Sequence, residues 1–200
     1  MISMKWVVLS VALLAAVWVA VALLGHWAWS KATDELEGRL QAARTERTAP
    51  AAIRFDPAEL EGLPAPVQRY FRTVLTAGQP IVAAATIEHT GEFNMGEARD
   101  NWKPFTSRQR IVTARPGFVW DARIAFVPGL AVRVHDAYVA GAGRLHAAVA
   151  GLFTVADLQG TPDLAEGELM RFFAEAAWVP TALLPSQGVR WEAVDEHSAR

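Results

Sequence analysis

The sequence predicts an α+β protein: an N-terminal transmembrane helix, then a curved antiparallel sheet, half-barrel-like, packed on a helix. Three observations carry this. Residues 6–24 are an apolar run with no charged side chain. From Ile81 to Val149 apolar residues recur with a period of two, broken only by Pro/Gly turns. Successive strands without an intervening helix pair antiparallel. From residue 163 to 178 the period returns to that of a helix.

The apolar run, about 19 residues at ~1.5 Å rise, makes about 28 Å of helix, close to the ~30 Å hydrocarbon core of a bilayer. Ser10 is its only hydroxyl, so no polar stripe marks it as the core helix of a soluble protein. A cleaved signal has a shorter apolar region and an A-x-A-like site, and Ala28-Trp29-Ser30 is a poor one. Residues 1–29 therefore read as an uncleaved membrane anchor, with Trp6, Trp27 and Trp29 as interfacial belt. Lys5 on one side is set against Lys31, Arg39 and Arg44 on the other, and charge alone does not orient the span. A short tail before a sizeable domain favours a single pass through the inner (cell) membrane with the domain extracytoplasmic.

Residues 30–55 form a charged juxtamembrane linker. Leu36 and Leu40 stand at i, i+4, and Glu35 precedes Arg39 by four, which supports a solvated helix; a charged spacer of fluctuating helicity fits equally. Residues 48–52, TAPAA, read as linker.

Residues 56–200 form the α+β domain. Asp56-Pro57 caps a short turn, and Val67, Tyr70, Phe71, Val74 and Leu75 make one apolar helix face before Gly78. Ile87, His89, Gly91 and Phe93 alternate with Thr86, Glu88, Thr90 and Glu92. Residues 94–100 turn the chain into a strand over 105–113, and Arg115-Pro116-Gly117 turns it again. Phe118, Trp120, Ala122, Ile124 and Phe126 give the clearest strand, and Pro128-Gly129 follows it. Val132, Val134, Asp136 and Tyr138 share a face opposite Arg133, His135 and Ala137; Leu145, Ala147 and Val149 make one more strand. In the helix over 163–178, Glu168, Arg171 and Glu175 form a stripe about 60° wide, opposite Leu169, Phe172, Phe173 and Ala176. Residues 189–200 read as another strand with Trp191 on it and Asp195-Glu196 able to turn a hairpin; a partner strand is expected beyond residue 200, the domain being truncated on its C-terminal side.

Composition narrows the function classes. Nineteen basic and 21 acidic side chains are well mixed, without a basic block, which argues against a nucleic-acid partner. The absence of cysteine excludes disulfides, a cysteine nucleophile, thiolate metal sites and a lipidated N-terminal cysteine. Gly141-Ala-Gly143 has His146 where a dinucleotide fingerprint needs its third glycine. No H-E-x-x-H, G-x-S-x-G, P-loop or EF-hand pattern occurs. His26 lies at the membrane end, and His89, His135, His146 and His197 lack paired ligand spacing, so neither a metal nor another cofactor is expected.

Two polar features stand out. Asp136 alternates into an apolar face between Val134 and Tyr138, which demands a partner such as Arg or His unless a bulge turns it to water. Arg171 precedes Glu175 by four, on the same stripe as Glu168. This is either a solvated stripe or a partly buried ion pair.

Pro64-x-Pro66-Val-Gln-Arg-Tyr70, Trp102-x-Pro104-Phe105, Phe118-x-Trp120, Asp136-Ala-Tyr138-x-x-Gly141-x-Gly143, and Glu168-Leu-Met-Arg171 through Trp178-x-Pro180-x-Ala-Leu183 resemble a bacterial membrane-anchored family with a domain of unknown function, over residues 63–200. Arg108-Gln109 with Arg115-Pro116-x-x-x-Trp120 is similar to strands of periplasmic lipoprotein carriers of the LolA type. That likeness implies a half-barrel covering a helix and binding acyl chains.

The expected function is a non-catalytic, membrane-tethered domain holding a lipid or other apolar ligand between sheet and helix. Asp136, Tyr138, Glu168, Arg171 and Glu175 are the ligand-binding or buried polar residues. The alternatives are an enzyme using Asp136, Glu168 and Glu175, and a purely structural or interaction module.

Overall fold

The computed structural model describes residues 4–45 and 54–200. The linker expected at residues 48–52 lies outside the described residues. The apolar run and the segment after it are one unbroken helix, α1 (Met4–Thr45). Its 42 residues extend about 63 Å, twice what a bilayer core requires. It is the one helix among the described residues long and apolar enough to cross a membrane, and its apolar half is uncovered by protein.

After a 3-10 turn (Pro57–Leu60), in which the Asp56 carboxylate accepts from the Ala58 N–H at 2.9 Å, comes α2 (Ala65–Val74). Six strands follow: β1 (Ala84–Asn94), β2 (Trp102–Val112), β3 (Gly117–Val127), β4 (Leu130–Val139), β5 (Ala142–Val149) and β6 (Phe153–Gln159). They lie in chain order in one sheet, and every neighbouring pair is antiparallel. Then come α3 (Pro162–Glu175) and three short 3-10 turns.

Both faces of the sheet are covered, because strand alternation delivers two apolar sets. Ile111, Phe118, Trp120 and Ala122 join Val67 and Phe71 of α2, Phe172 of α3 and Leu183-Leu184 in the larger core. Val112, Val119 and Ala137 point the other way and bury Leu36 and Leu40 of α1. α3 lies on the β3–β5 part of the sheet. Gly143 of β5 permits this approach: a Cβ there would lie 2.8 Å from the Leu164 carbonyl oxygen.

Three expectations change. Residues 30–45 are not a solvated helix, since Leu36, Leu40 and Ala43 are buried on the sheet. Trp29 is not part of an interfacial belt; it is 2% exposed, against 66% for Trp27. Residues 189–200 form no strand of the main sheet, although the chain does turn at Asp195-Glu196 as expected. Glu192 and Arg200 exchange both backbone hydrogen bonds, at 2.7 and 2.9 Å, so the segment folds back on itself through Asp195–Ser198. β6 has no counterpart in the sequence reading, because Phe153, Val155 and Leu158 are exposed along this edge strand.

Candidate functional site

Each face of the sheet carries a polar cluster. On the α3 side, Arg171 donates from Nη1 to Asp136 Oδ2 and from Nε to Glu175 Oε1, the latter at 2.8 Å. The other Glu175 oxygen accepts from Gln109 Nε2 at 2.6 Å. The guanidinium lies over the rings of Phe118 and Trp120, 4.9 and 5.1 Å from their centroids. Strand register through Asp136 is unbroken, opposite Trp120 and Leu145, and the bulge in β3–β4 lies at Ala125–Val127. Asp136 therefore points at α3 rather than at water.

Glu168 completes the cluster. It is 7% exposed, and burial, followed by the hydrogen bond and charge of Asp136, pushes its carboxyl up to about 8. Glu168 Oε2 and Asp136 Oδ1 are both buried, and neither has a hydrogen-bond partner among the described residues. A protonated Glu168 donating to the Asp136 carboxylate satisfies both. The resulting chain, Glu168–Asp136–Arg171–Glu175–Gln109, gathers four of the five expected residues. Tyr138 packs against the same core, and no hydrogen bond ties it to the chain.

On the α1 side a second cluster assembles from residues that the sequence did not bring together. Asp121, His135, His146 and Asp157 stand directly opposite one another on β3, β4, β5 and β6. Trp29 covers them: its ring stacks on His135 at 3.9 Å and on His146 at 5.2 Å, and its Nε1 donates to Asp121 at 2.9 Å. Thr33 Oγ1 lies 2.7 Å from His135 Nε2 and 3.3 Å from Asp121 Oδ2. One proton order satisfies both contacts: His135 donates from Nε2 to Thr33, and Thr33 donates onward to Asp121.

A neutral His135 in that order carries its single ring proton on Nε2. Burial, then the charges of His146, Arg144 and Arg133, lowers its pKa to about 3. Burial also lowers His146 and raises Asp121, the latter against the hydrogen bond from Trp29 that pulls it down. Among the described residues no group of three or more acidic, histidine or cysteine side chains is arranged to hold a metal ion.

Glu168 and His135 contribute opposing pH dependences to stability. Glu168 is raised from 4.5 to about 8, so the folded state holds a proton that the unfolded chain has lost. Its contribution is complete below pH 4.5 and disappears as pH rises to about 8, at roughly 1.4 kcal/mol per pH unit. His135 is lowered from 6.5 to about 3, so its contribution is complete above pH 6.5 and disappears as pH falls. Between 4.5 and 6.5 the two slopes oppose, and stability is nearly level. Denaturant midpoints of the full chain should fall between about pH 6.5 and about pH 8, and Glu168→Gln should abolish that fall. Parallel losses in both proteins would show that Glu168 is not the neutral carboxyl.

The cavities along α1, beside α2 and beside the β3–β4 turn are not lined by Asp136, Glu168, Arg171 or Glu175. The largest, 640 Å³, lies on the α1 side, between that helix and β4–β6. Leu36, Ala43, Ala137 and Val139 line it, together with Arg39 and Arg144. Cavities of 280 and 120 Å³ lie beside α2 and beside the β3–β4 turn.

Residues 61–200 match a family of unknown function, DUF6920, and the chain belongs to that family. No curated protein and no solved structure matches the chain.

Proposed function

We propose that this family member is a membrane-tethered binding domain that takes an anionic amphiphile into the groove between α1 and β4–β6. The observation that carries the reading is the 640 Å³ cavity, within the range of small-molecule sites and mostly apolar in its lining. Arg39 and Arg144 supply the positive charge. Arg144 Nε is buried without a partner, and its Nη2 stands 3.8 Å from Asp157, a loose pairing that a ligand carboxylate or phosphate would improve. The ligand was expected between the sheet and α3. There Phe118, Trp120, Phe172 and the Arg171 guanidinium occupy the interface, and the acidic cluster faces protein rather than a cleft. An enzyme built on Asp136, Glu168 and Glu175 is less well supported for that reason.

The test is titration of the full chain, held in amphipol, with a dansylated fatty acid. Saturable fluorescence enhancement is expected. Arg144→Gln should weaken it about tenfold, the worth of one charge-assisted contact, and Val139→Trp should abolish it by filling the groove. Equal binding by wild type and Val139→Trp would reject the site.

A further inference from the structure

The two ends of the sheet differ in chemistry. At one end are the β2–β3 and β4–β5 turns and the exit from β6, built from Thr113 to Pro116, Ala140-Gly141 and Gly160. At the other are the β1–β2, β3–β4 and β5–β6 turns, and these expose Phe93 and Trp102, Phe126 and Val127, Leu152 and Phe153. Val127 is 50% exposed and Phe153 62%. The apolar end is the one fastened to the apolar half of α1. Gly25 and the β5–β6 turn touch so closely that a Cβ on Gly25 would lie 2.0 Å from the Ala150 carbonyl oxygen. The β3–β4 turn reaches further, with Gly129 against the ring of Trp18.

Trp18 lies six residues inside the end of the apolar run at Leu24, about 9 Å along the helix. The turn that touches it is therefore held at the depth to which interfacial elements bury their apolar faces, about 5–10 Å. Arg123 stands four residues back from Val127, about 13 Å toward water, and directly opposite Arg133 on β4. Like charges directly opposite destabilise a strand pair. Among the described residues neither arginine makes a hydrogen bond or ion pair to another side chain, although Asp121 lies near enough to Arg133 to feel its charge. Both line the 120 Å³ cavity, with Trp18, Val21, His26 and Leu130.

We infer that the β3–β4 and β5–β6 turns are embedded in the bilayer surface and that Arg123 and Arg133 together receive the phosphate of an anionic phospholipid. This rests on the reading of α1 as a membrane span. The embedded turns hold the domain upright on the bilayer and prevent it from swinging about its tether. The pocket places two positive charges where the headgroup phosphates lie, with apolar walls below for the first methylenes of the acyl chains.

The chain has no cysteine, so single-cysteine variants carry one spin label each. Leu24→Cys, Val127→Cys, Phe153→Cys and Ala142→Cys are labelled in the full chain, in nanodiscs of phosphatidylcholine and phosphatidylglycerol. Their accessibility to oxygen and to a water-soluble nickel chelate is then read by EPR. Labels at 24, 127 and 153 should be shielded from nickel, and the label at 142, at the far end of β5, should not. Aqueous labels at 127 and 153 with a shielded label at 24 would overturn the inference and leave the tether intact. An aqueous label at 24 would overturn both. In a second arm, native mass spectrometry of protein extracted from the same lipids should find phosphatidylglycerol enriched several-fold over phosphatidylcholine. Arg123→Gln/Arg133→Gln should lose that enrichment, and millimolar inorganic phosphate should leave it unchanged. Equal lipid profiles for wild type and variant would reject the headgroup site; displacement by phosphate would assign the arginines to a free anion instead.

Discussion

Trp29→Ala should release α1 from the sheet, at a cost of about 3–5 kcal/mol, the range for truncating a fully buried aromatic side chain. Three losses coincide at this residue. The ring is 2% exposed and covers His135 and His146, so its removal opens a cavity over two imidazoles held neutral by burial. Its Nε1 is the 2.9 Å donor to Asp121. Without it a partly buried carboxylate loses a hydrogen bond, worth up to about 1–3 kcal/mol where the group stays dry. The measurement is a denaturant melt of the full chain in detergent, joined to hydrogen exchange. Amides of β3 and β4 should lose protection in Trp29→Ala while the helical circular dichroism of the apolar half persists. Trp29→Phe separates the parts, keeping a stacked ring and losing only the donor, and should fall between wild type and alanine. A shift under about 1 kcal/mol for Trp29→Ala would mean that the helix–sheet seam does not hold the fold together.

The strands were legible where alternation and turn chemistry agree. Phe118 to Phe126 alternates cleanly between Arg115-Pro116-Gly117 and Pro128-Gly129, and β3 is placed within a residue or two of expectation. β6 was not legible. An edge strand with both faces open has no burial to impose a period, and the β5–β6 ladder shifts register at Ala147–Ala148. The end of the chain was misread for a related reason. Trp191 is partly buried against Phe71, and its indole donates to the Leu183 carbonyl at 3.0 Å, so an apolar residue in a strand-like stretch serves the core from an irregular segment.

The role of residues 30–45 was hidden by their composition. Leu36 and Leu40 are their only large apolar residues, and charged residues flank both. Such a face is too narrow to announce a buried helix by pattern alone. The missing partner was the second face of the sheet, where Val119 and Ala137 lie, and where Arg108 and Arg110 both pair with Glu37, at 3.2 and 2.9 Å. The histidine pair did leave a trace. If Ala140-Gly141 is a two-residue turn, Val139 faces Ala142 and counting back sets His135 opposite His146. Spacing rules for metal ligands look for near neighbours in sequence and pass over cross-strand pairs of this kind.

Arg171→Ala should cost about 3 kcal/mol, toward the lower end of the range for breaking a buried ion pair, because the guanidinium retains 26% of its exposure. Asp136 and Glu175 converge on it from β4 and from the next turn of α3, and without it two carboxylates share a largely enclosed space with Glu168. Two charge-assisted hydrogen bonds disappear, along with the cover over Phe118 and Trp120, where a cation over an aromatic face contributes about 0.5–2 kcal/mol. Arg171→Met retains most of the cover and removes the charge, so the difference between the methionine and alanine variants isolates packing from pairing. A double-mutant cycle with Glu175→Gln supplies the coupling directly. A largely buried pair should couple by more than 1 kcal/mol, whereas a solvated i, i+4 pair gives about 0.3–0.5 kcal/mol. A melt of Arg171→Ala within about 1 kcal/mol of wild type would put the arginine in water and dissolve the cluster as a structural unit. Glu168, pushed up by burial and Asp136 and pulled down by the Arg171 charge, would then no longer feel the arginine, and its pH slope should survive the loss of Arg171 unchanged.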